Sequence, residues 1–268
     1  MDAPRISRPV LWLFRRIVRG YFRRHFHGVR ASGVTRFASL AASREPIIVY
    51  GNHASWWDPM VAFLLAEKLL PERQHFAPMD SEALNRYAIL KHIGVFPIAM
   101  NTSRGAAQFL RTGEAIVTGG GVLWVTPQGR FVDPRARPLE FKPGLAALAA
   151  RVAAGTGECT LLPLAIEYPF WDERLPECLL HVGEPLRISA NETAEEIESR
   201  SISALTSAME ELKQMAMQRD PSRFETIARG TVGTGGFYAF GQRMKSAILR
   251  RPYRAEHTIV PAVRKGQE

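Results

Sequence analysis

The chain has 268 residues, 46% of them hydrophobic and 23% charged, a composition that excludes wholesale disorder and suffices for one large domain or two small ones. Its formal charge of +9 sits at the ends: residues 1–36 carry +8 from nine arginines and one acid, residues 241–268 carry +5, and 37–240 are left at −4. A mildly acidic body with basic ends argues against a nucleic-acid binder and suits contact with an anionic surface, and two cysteines, Cys159 and Cys178, cannot build a disulfide scaffold.

Residues 9–26 predict the first helix. Leu11, Phe14, Val18, Tyr21 and Phe22 recur at helical spacing, while Arg15, Arg16, Arg19 and Arg23 mostly point elsewhere. That is the pattern of an amphipathic helix lying in a membrane interface. The apolar run breaks at Arg15, short of the roughly 20 residues of a spanning helix. No small-residue cleavage site follows, as a signal peptide requires. Packing of the same helix on the body is the alternative. Further on, strand-like runs fall at 47–50, 75–78, 93–98, 122–126, 161–168 and 179–188. Helical patterns fall at 60–70, 81–92, 104–117, 144–154 and 194–218. This alternation predicts an α/β fold with a mostly parallel sheet flanked by helices. A Gly-rich loop over 228–241 leads to a short basic helix near 237–250, and the residues from about Arg251 read as loosely ordered. The expected division is 1–36 as a basic membrane-associating segment, 37–227 as the α/β domain, and 228–268 as a Gly-rich and basic extension.

Four blocks carry the chemistry. The first, Asn52-His53-Ala54-Ser55-Trp56-Trp57-Asp58, follows a strand and opens a helix at Asp58-Pro59. A histidine with a carboxylate in reach can take a proton from a hydroxyl, with Asp58 holding the imidazole. Asp58 before Pro59 also reads as a plain helix cap. The second block runs from Gly94-Val95-Phe96-Pro97-Ile98 to Asn101-Thr102-Ser103-Arg104, where a helix start and Arg104 would hold an anion. The third, Thr126-Pro127-Gln128-Gly129-Arg130, ends a strand in a glycine turn, followed by Phe141-Lys142-Pro143-Gly144. Its cations suit an acidic ligand, and a solvated basic loop is the plainer alternative. The fourth, Leu162-Pro163-Leu164, reads as core, with the proline implying an edge, a bulge or a strand start.

In order and spacing these blocks resemble the glycerolipid acyltransferases of the lysophosphatidic acid acyltransferase type over roughly residues 45–190. Asn52, His53, Ser55 and Asp58 match the family's first motif fully. In the second, Gly94, Phe96 and Ile98 match, but Met100 stands where an arginine is expected. In the third, Pro127 and Gly129 match, Gln128 replaces a glutamate, Thr126 a phenylalanine, and Arg130 falls one place early. The resemblance implies transfer of an acyl chain from acyl-CoA or acyl carrier protein to the hydroxyl of a lysophospholipid or related polar lipid. It implies His53 and Asp58 as the catalytic pair, no metal and no cofactor beyond the co-substrate. Asn52, Ser55, Arg104, Gln128, Gly129, Arg130 and Lys142 are the expected substrate-binding residues. The expected location is peripheral, on the cytoplasmic face of a membrane with anionic lipids, with no nucleic-acid partner. A non-catalytic lipid-binding protein of the same fold is the rival reading. Neither a Gly-x-Ser-x-Gly elbow nor a phosphate-binding glycine loop occurs, which argues against a serine hydrolase and a nucleotide enzyme.

Overall fold

The structure, a computed structural model, describes residues 3–41 and 45–231. Helix α1 (Arg8–His25) has Pro9 in its first turn and closes on Arg23, Arg24 and His25, cations that suit the negative end of the helix dipole. Strand β1 (Gly28–Ser32) and helix α2 (Thr35–Ala41) lead to β2 (Ile47–Gly51). Then come α3 (Asp58–Leu69), β3 (His75–Asp80), α4 (Ser81–Arg86), a 3₁₀ turn at Ala88–Ile93 and β4 (Val95–Ile98). Helix α5 (Ser103–Thr118), β5 (Val122–Val125), α6 (Gly144–Thr156) and β6 (Glu158–Glu167) follow. The described chain ends through β7 (Glu177–Val182), β8 (Leu186–Ser189), α7 (Ala194–Met217) and β9 (Glu225–Arg229).

Among the described residues the nine strands form one sheet in the order β4-β3-β5-β2-β6-β7-β1-β9, with β8 also on β6. Five adjacent strands, β4 to β6, are parallel. The other side is mixed: β7 and β8 run antiparallel to β6, β1 is parallel to β7, and β9 is antiparallel to β1. Five of the eight strand pairings among the described residues are parallel, so the sheet is mostly parallel as expected, with antiparallel pairings at β6–β7, β6–β8 and β1–β9. Strand β2 shows how the sheet serves two cores. Every residue of it is buried, but Ile48 and Tyr50 face α5, α6 and α7, while Ile47 and Val49 face α1, α2 and α3. The result is a three-layer α/β/α unit.

Several elements differ from the sequence reading. The run 179–188 is two strands, broken by Gly183-Glu184-Pro185. The helix expected at 81–92 breaks at Tyr87 into α4 and the 3₁₀ turn. Strands β1 and β9 and helix α2 were not foreseen; each is short and weakly patterned. The boundary expected at 36/37 falls inside α2, and that at 227/228 falls inside β9. The N-terminal segment thus gives β1 to the central sheet, and the C-terminal one gives the last two residues of β9. Pro163 lies inside β6, where that strand changes partner from β8, ending at Leu161, to β7, starting at Leu164. A residue without an N–H belongs at such a change of partner, and its carbonyl still accepts the Gly183 N–H. Of the loop expected over 228–241, residues 228 and 229 instead close β9; the part beyond 231, the basic helix expected near 237–250 and the residues from about Arg251 lie outside the described residues.

Helix α1 turns its expected apolar stripe inward except at Tyr21. Val18 and Phe22 are buried beside α3, and Phe14 packs edge-on against Phe63 at 4.9 Å. Leu11 packs on Leu84, Ile93 and Val95. A different set faces outward: Trp12, Leu13 and Ile17 are 60%, 50% and 43% exposed, Tyr21 lies open beside them, and Arg16 lies over the Trp12 ring. No helix among the described residues is long and apolar enough to cross a membrane.

Candidate active site

The site forms where β2 ends. Gly51 is required there, because a Cβ would stand 2.7 Å from the Leu164 carbonyl oxygen. Asn52, 1% exposed, then continues the ladder with its side chain: its Nδ2 donates to the Ile166 carbonyl (3.0 Å) and its Oδ1 accepts the Ile166 N–H (2.8 Å). This clamp ties the turn after β2 to β6.

His53 follows, and its main chain is held on both sides. Its N–H donates to Gln128 Oε1 at 2.9 Å, and its carbonyl accepts the Val132 N–H at 2.8 Å. The ring lies with Nδ1 2.8 Å from Asp58 Oδ2, and Phe131 packs on it at 4.3 Å between centroids. Asp58, 4% exposed, opens α3. Its Oδ2 also accepts the Ser55 N–H (3.0 Å), and its Oδ1 accepts the Tyr168 hydroxyl (2.6 Å). A carboxylate can only accept, so the imidazole proton belongs on Nδ1 and Nε2 presents a lone pair. Burial pushes the Tyr168 hydroxyl well above the usual phenol range, so it stays a donor. The His53 side chain is 18% exposed, enough for a substrate hydroxyl to reach the ring.

The capping expectation for Asp58 is not met. Its carboxylate turns back to Ser55 and His53, and Trp57 occupies the cap position without a side-chain bond to the helix. A negative charge at the first residue of a helix is still favoured by the helix dipole.

The second and third blocks meet beside this pair. Asn101 adopts a left-handed backbone with φ of 58°. Thr102 caps α5 by accepting the Gly105 N–H at 3.0 Å. Across from it, Gly129 turns with φ of 63°, and a Cβ there would meet the Lys142 stem at 2.7 Å. Lys142 reaches over that turn and donates from Nζ to Asn101 Oδ1 at 2.8 Å. The ammonium therefore sits one residue along from Met100, where the family resemblance led one to expect a cation.

Of the residues expected at the site, Asn52, His53, Ser55, Asp58, Gln128, Gly129 and Lys142 converge. Three of them are occupied internally: Asn52 by Ile166, Gln128 by the His53 N–H, and Ser55 Oγ by the Trp57 N–H at 3.3 Å. Arg104 lies exposed in the first turn of α5. Arg130 turns away to pair with Glu140 at 3.1 Å. Sequence reasoning missed Tyr168 and Phe131. Strand pairing was the missing signal for Tyr168, because β6 lies beside β2 and brings its end back to the turn after Gly51.

Among the described residues, His25, His27, His75 and His181 have structural partners, with His181 Nδ1 2.8 Å from Ser32 Oγ. His27 and Arg30 both bind the buried Glu177. His75 accepts from Trp124 Nε1 at 3.0 Å and contacts the Leu70 carbonyl at 2.8 Å, and burial pushes its pKa down to about 4. His25 stacks near Tyr21 and Trp57. No group of three or more His, Cys, Asp or Glu is placed to hold a metal among the described residues.

A search of curated proteins gives no match. A scan against protein-family models matches one described as Acyltransferase over residues 29–167, just over half the chain. That stretch runs from β1 to the last residue of β6 and includes the turn that holds His53, Asp58 and Gln128. With a mixed α/β sheet flanked by helices and a histidine–aspartate pair at the end of a central strand, the chain belongs to the Acyltransferase family.

Proposed function

We propose that the protein moves a fatty acyl chain from a thioester, acyl-CoA or acyl carrier protein, to the hydroxyl of a lysophospholipid or related polar lipid, with His53 as general base. The observation that carries this reading is the Asp58–His53 pair, closed on its Asp58 side by Ser55 and Tyr168 and open at His53 Nε2. The acceptor hydroxyl gives its proton to Nε2 as its oxygen attacks the thioester carbonyl. Asp58 stabilises the imidazolium that forms. Collapse of the tetrahedral adduct breaks the carbon–sulfur bond, and the imidazolium returns its proton to the departing sulfur. Ester and thiol are the products, and no covalent acyl-enzyme, metal or further cofactor is needed. Lys142 is the cation held at the site and suits an acidic group on a substrate, while Arg104 stands exposed in the opening turn of α5.

The reading places the enzyme on the cytoplasmic face of a membrane. The outward set on α1, Trp12, Leu13, Ile17 and Tyr21 among arginines, has the amphipathic character that binds an anionic lipid surface. A non-catalytic lipid binder would have no need of Gln128 and Tyr168 to hold His53 and Asp58. The test is transfer of label from acyl-CoA or acyl carrier protein to a panel of lyso-lipids. His53→Ala is expected to lower the rate by roughly 10²- to 10⁴-fold. No transfer to any acceptor, or equal transfer by the variant, overturns the proposal.

A further inference from the structure

We propose that Tyr168 is a positioning residue of this site: its hydroxyl fixes the Asp58 carboxylate so that Oδ2 holds His53 with its proton on Nδ1 and Nε2 free. The inference rests on the reading of His53 as the base, and it concerns a residue one position past the segment that identifies the family.

The geometry is specific. Asp58 is buried and takes three donors, and their division between its oxygens matters. Oδ2 takes the His53 ring and the Ser55 N–H, while Oδ1 takes the Tyr168 hydroxyl at 2.6 Å. A carboxylate can rotate about its Cβ–Cγ bond. The Ser55 N–H alone holds one oxygen and leaves the rotation partly free. The phenol pins the second oxygen on the opposite side, and two anchors on two oxygens fix the plane. With the plane fixed, Oδ2 is aimed along the Nδ1–H direction. Misaligned, the same carboxylate would favour Nδ1–H less, and the tautomer with a proton on Nε2 cannot accept one from a substrate.

Tyr168 is itself rigidly placed. It follows the last residue of β6, whose neighbour β2 carries the catalytic turn. Phe26, at the exit of α1, packs on its ring at 5.7 Å, and Phe26 also meets Trp57 at 4.9 Å. Asn52 binds Ile166 two residues before Tyr168, so the clamp that ties the turn carrying His53 to β6 and the phenol that holds the Asp58 carboxylate share one scaffold. Sheet pairing thus sets both ends of the histidine–aspartate pair.

The direct test needs no substrate. In the full-length protein labelled with ¹⁵N-histidine, the His53 ring signals are assigned by their loss in His53→Ala. The wild type is expected to carry its neutral-state proton on Nδ1, and Tyr168→Phe to shift a measurable fraction to Nε2. With an acceptor from the transfer assay, Tyr168→Phe should lower kcat about ten-fold and leave KM within about two-fold, the effect of one lost hydrogen bond expressed mainly in the transition state. In an Asp58→Asn background the same change should add nothing. If Tyr168→Phe fails to fold, 3-fluorotyrosine at 168 keeps the ring and a stronger donor, and should still move the His53 signals. A wild-type tautomer in Tyr168→Phe, an unmoved His53 spectrum with fluorotyrosine, or an undiminished extra loss in Asp58→Asn overturns the proposal. Absence of all acyl transfer beside an altered tautomer would overturn the proposed function and leave the positioning role standing.

Discussion

At the scale of single residues, what distinguishes the site is how few of its polar atoms are free. Gln128 illustrates this. The family resemblance expected a glutamate there, taken as a substrate contact, yet in the fold its Oε1 accepts the His53 N–H from a buried position. A carboxylate accepts the same bond, so Gln128→Glu should leave the transfer rate within a few-fold. Gln128→Ala leaves a partly buried N–H unpaired, and chemical denaturation should show a loss of about 1–3 kcal/mol with a lower kcat. Equal behaviour of the two variants would contradict this role. The His27–Glu177 pair gives a pH prediction. The hydrogen bond to Glu177, opposed by burial, raises the His27 pKa above its usual value. A raised histidine contributes stability below its unfolded pKa and loses it as pH rises through the folded one. The melting advantage of wild type over His27→Gln should therefore be full at about pH 5 and shrink from about pH 6.5 upward. An advantage that grows with pH would reverse the assignment. The sequence showed His53 and Asp58 by residue type and spacing. It did not show Tyr168, because a tyrosine 110 positions from Asp58 has no local signature.

At the scale of elements, α1 separates two apolar faces that periodicity alone ran together. Of the stripe Leu11, Phe14, Val18, Tyr21 and Phe22, only Tyr21 stays exposed; the others pack against α3 and the elements around Leu84. Trp12, Leu13 and Ile17 are left outside. Phe22→Ala should cost about 3–5 kcal/mol in unfolding free energy, as for a fully buried aromatic. The triple change of Trp12, Leu13 and Ile17 to Ser should leave the melting temperature nearly unchanged and weaken sedimentation with anionic vesicles. Retained vesicle binding by the triple variant would remove α1 from the lipid contact. Helix α7 offers a control far from the site. Thr193 and Glu196 form a reciprocal cap, so Thr193→Ala should cost about 1 kcal/mol and leave transfer intact. Long, strongly periodic elements such as α5, α6 and α7 were legible because burial of one face repeats every turn. Strands β1 and β9 were not, because five residues of an edge or near-edge strand carry too little pattern to stand out beside basic flanks.

At the scale of the whole molecule, both ends of the described chain are built into the sheet. Strand β1 lies between β7 and β9, and the Gly230 N–H bonds the His27 carbonyl. Ending the chain after residue 224 would remove β9 and bare the β1 edge, an open template for pairing. Size-exclusion chromatography should then show self-association and a lower melting temperature, and an unchanged monomer would show that β9 is dispensable. By itself the sequence determined the α/β class, the ends of the longer helices and the histidine–aspartate pair, because helical periodicity and five-residue spacing are local. Only the tertiary structure decided that the sheet becomes mixed beyond β6, which face of α1 is free, and that Tyr168 and Gln128 hold the pair. Those depend on which strands lie side by side, and contacts between residues more than a hundred positions apart are set by packing rather than by any nearby stretch of chain.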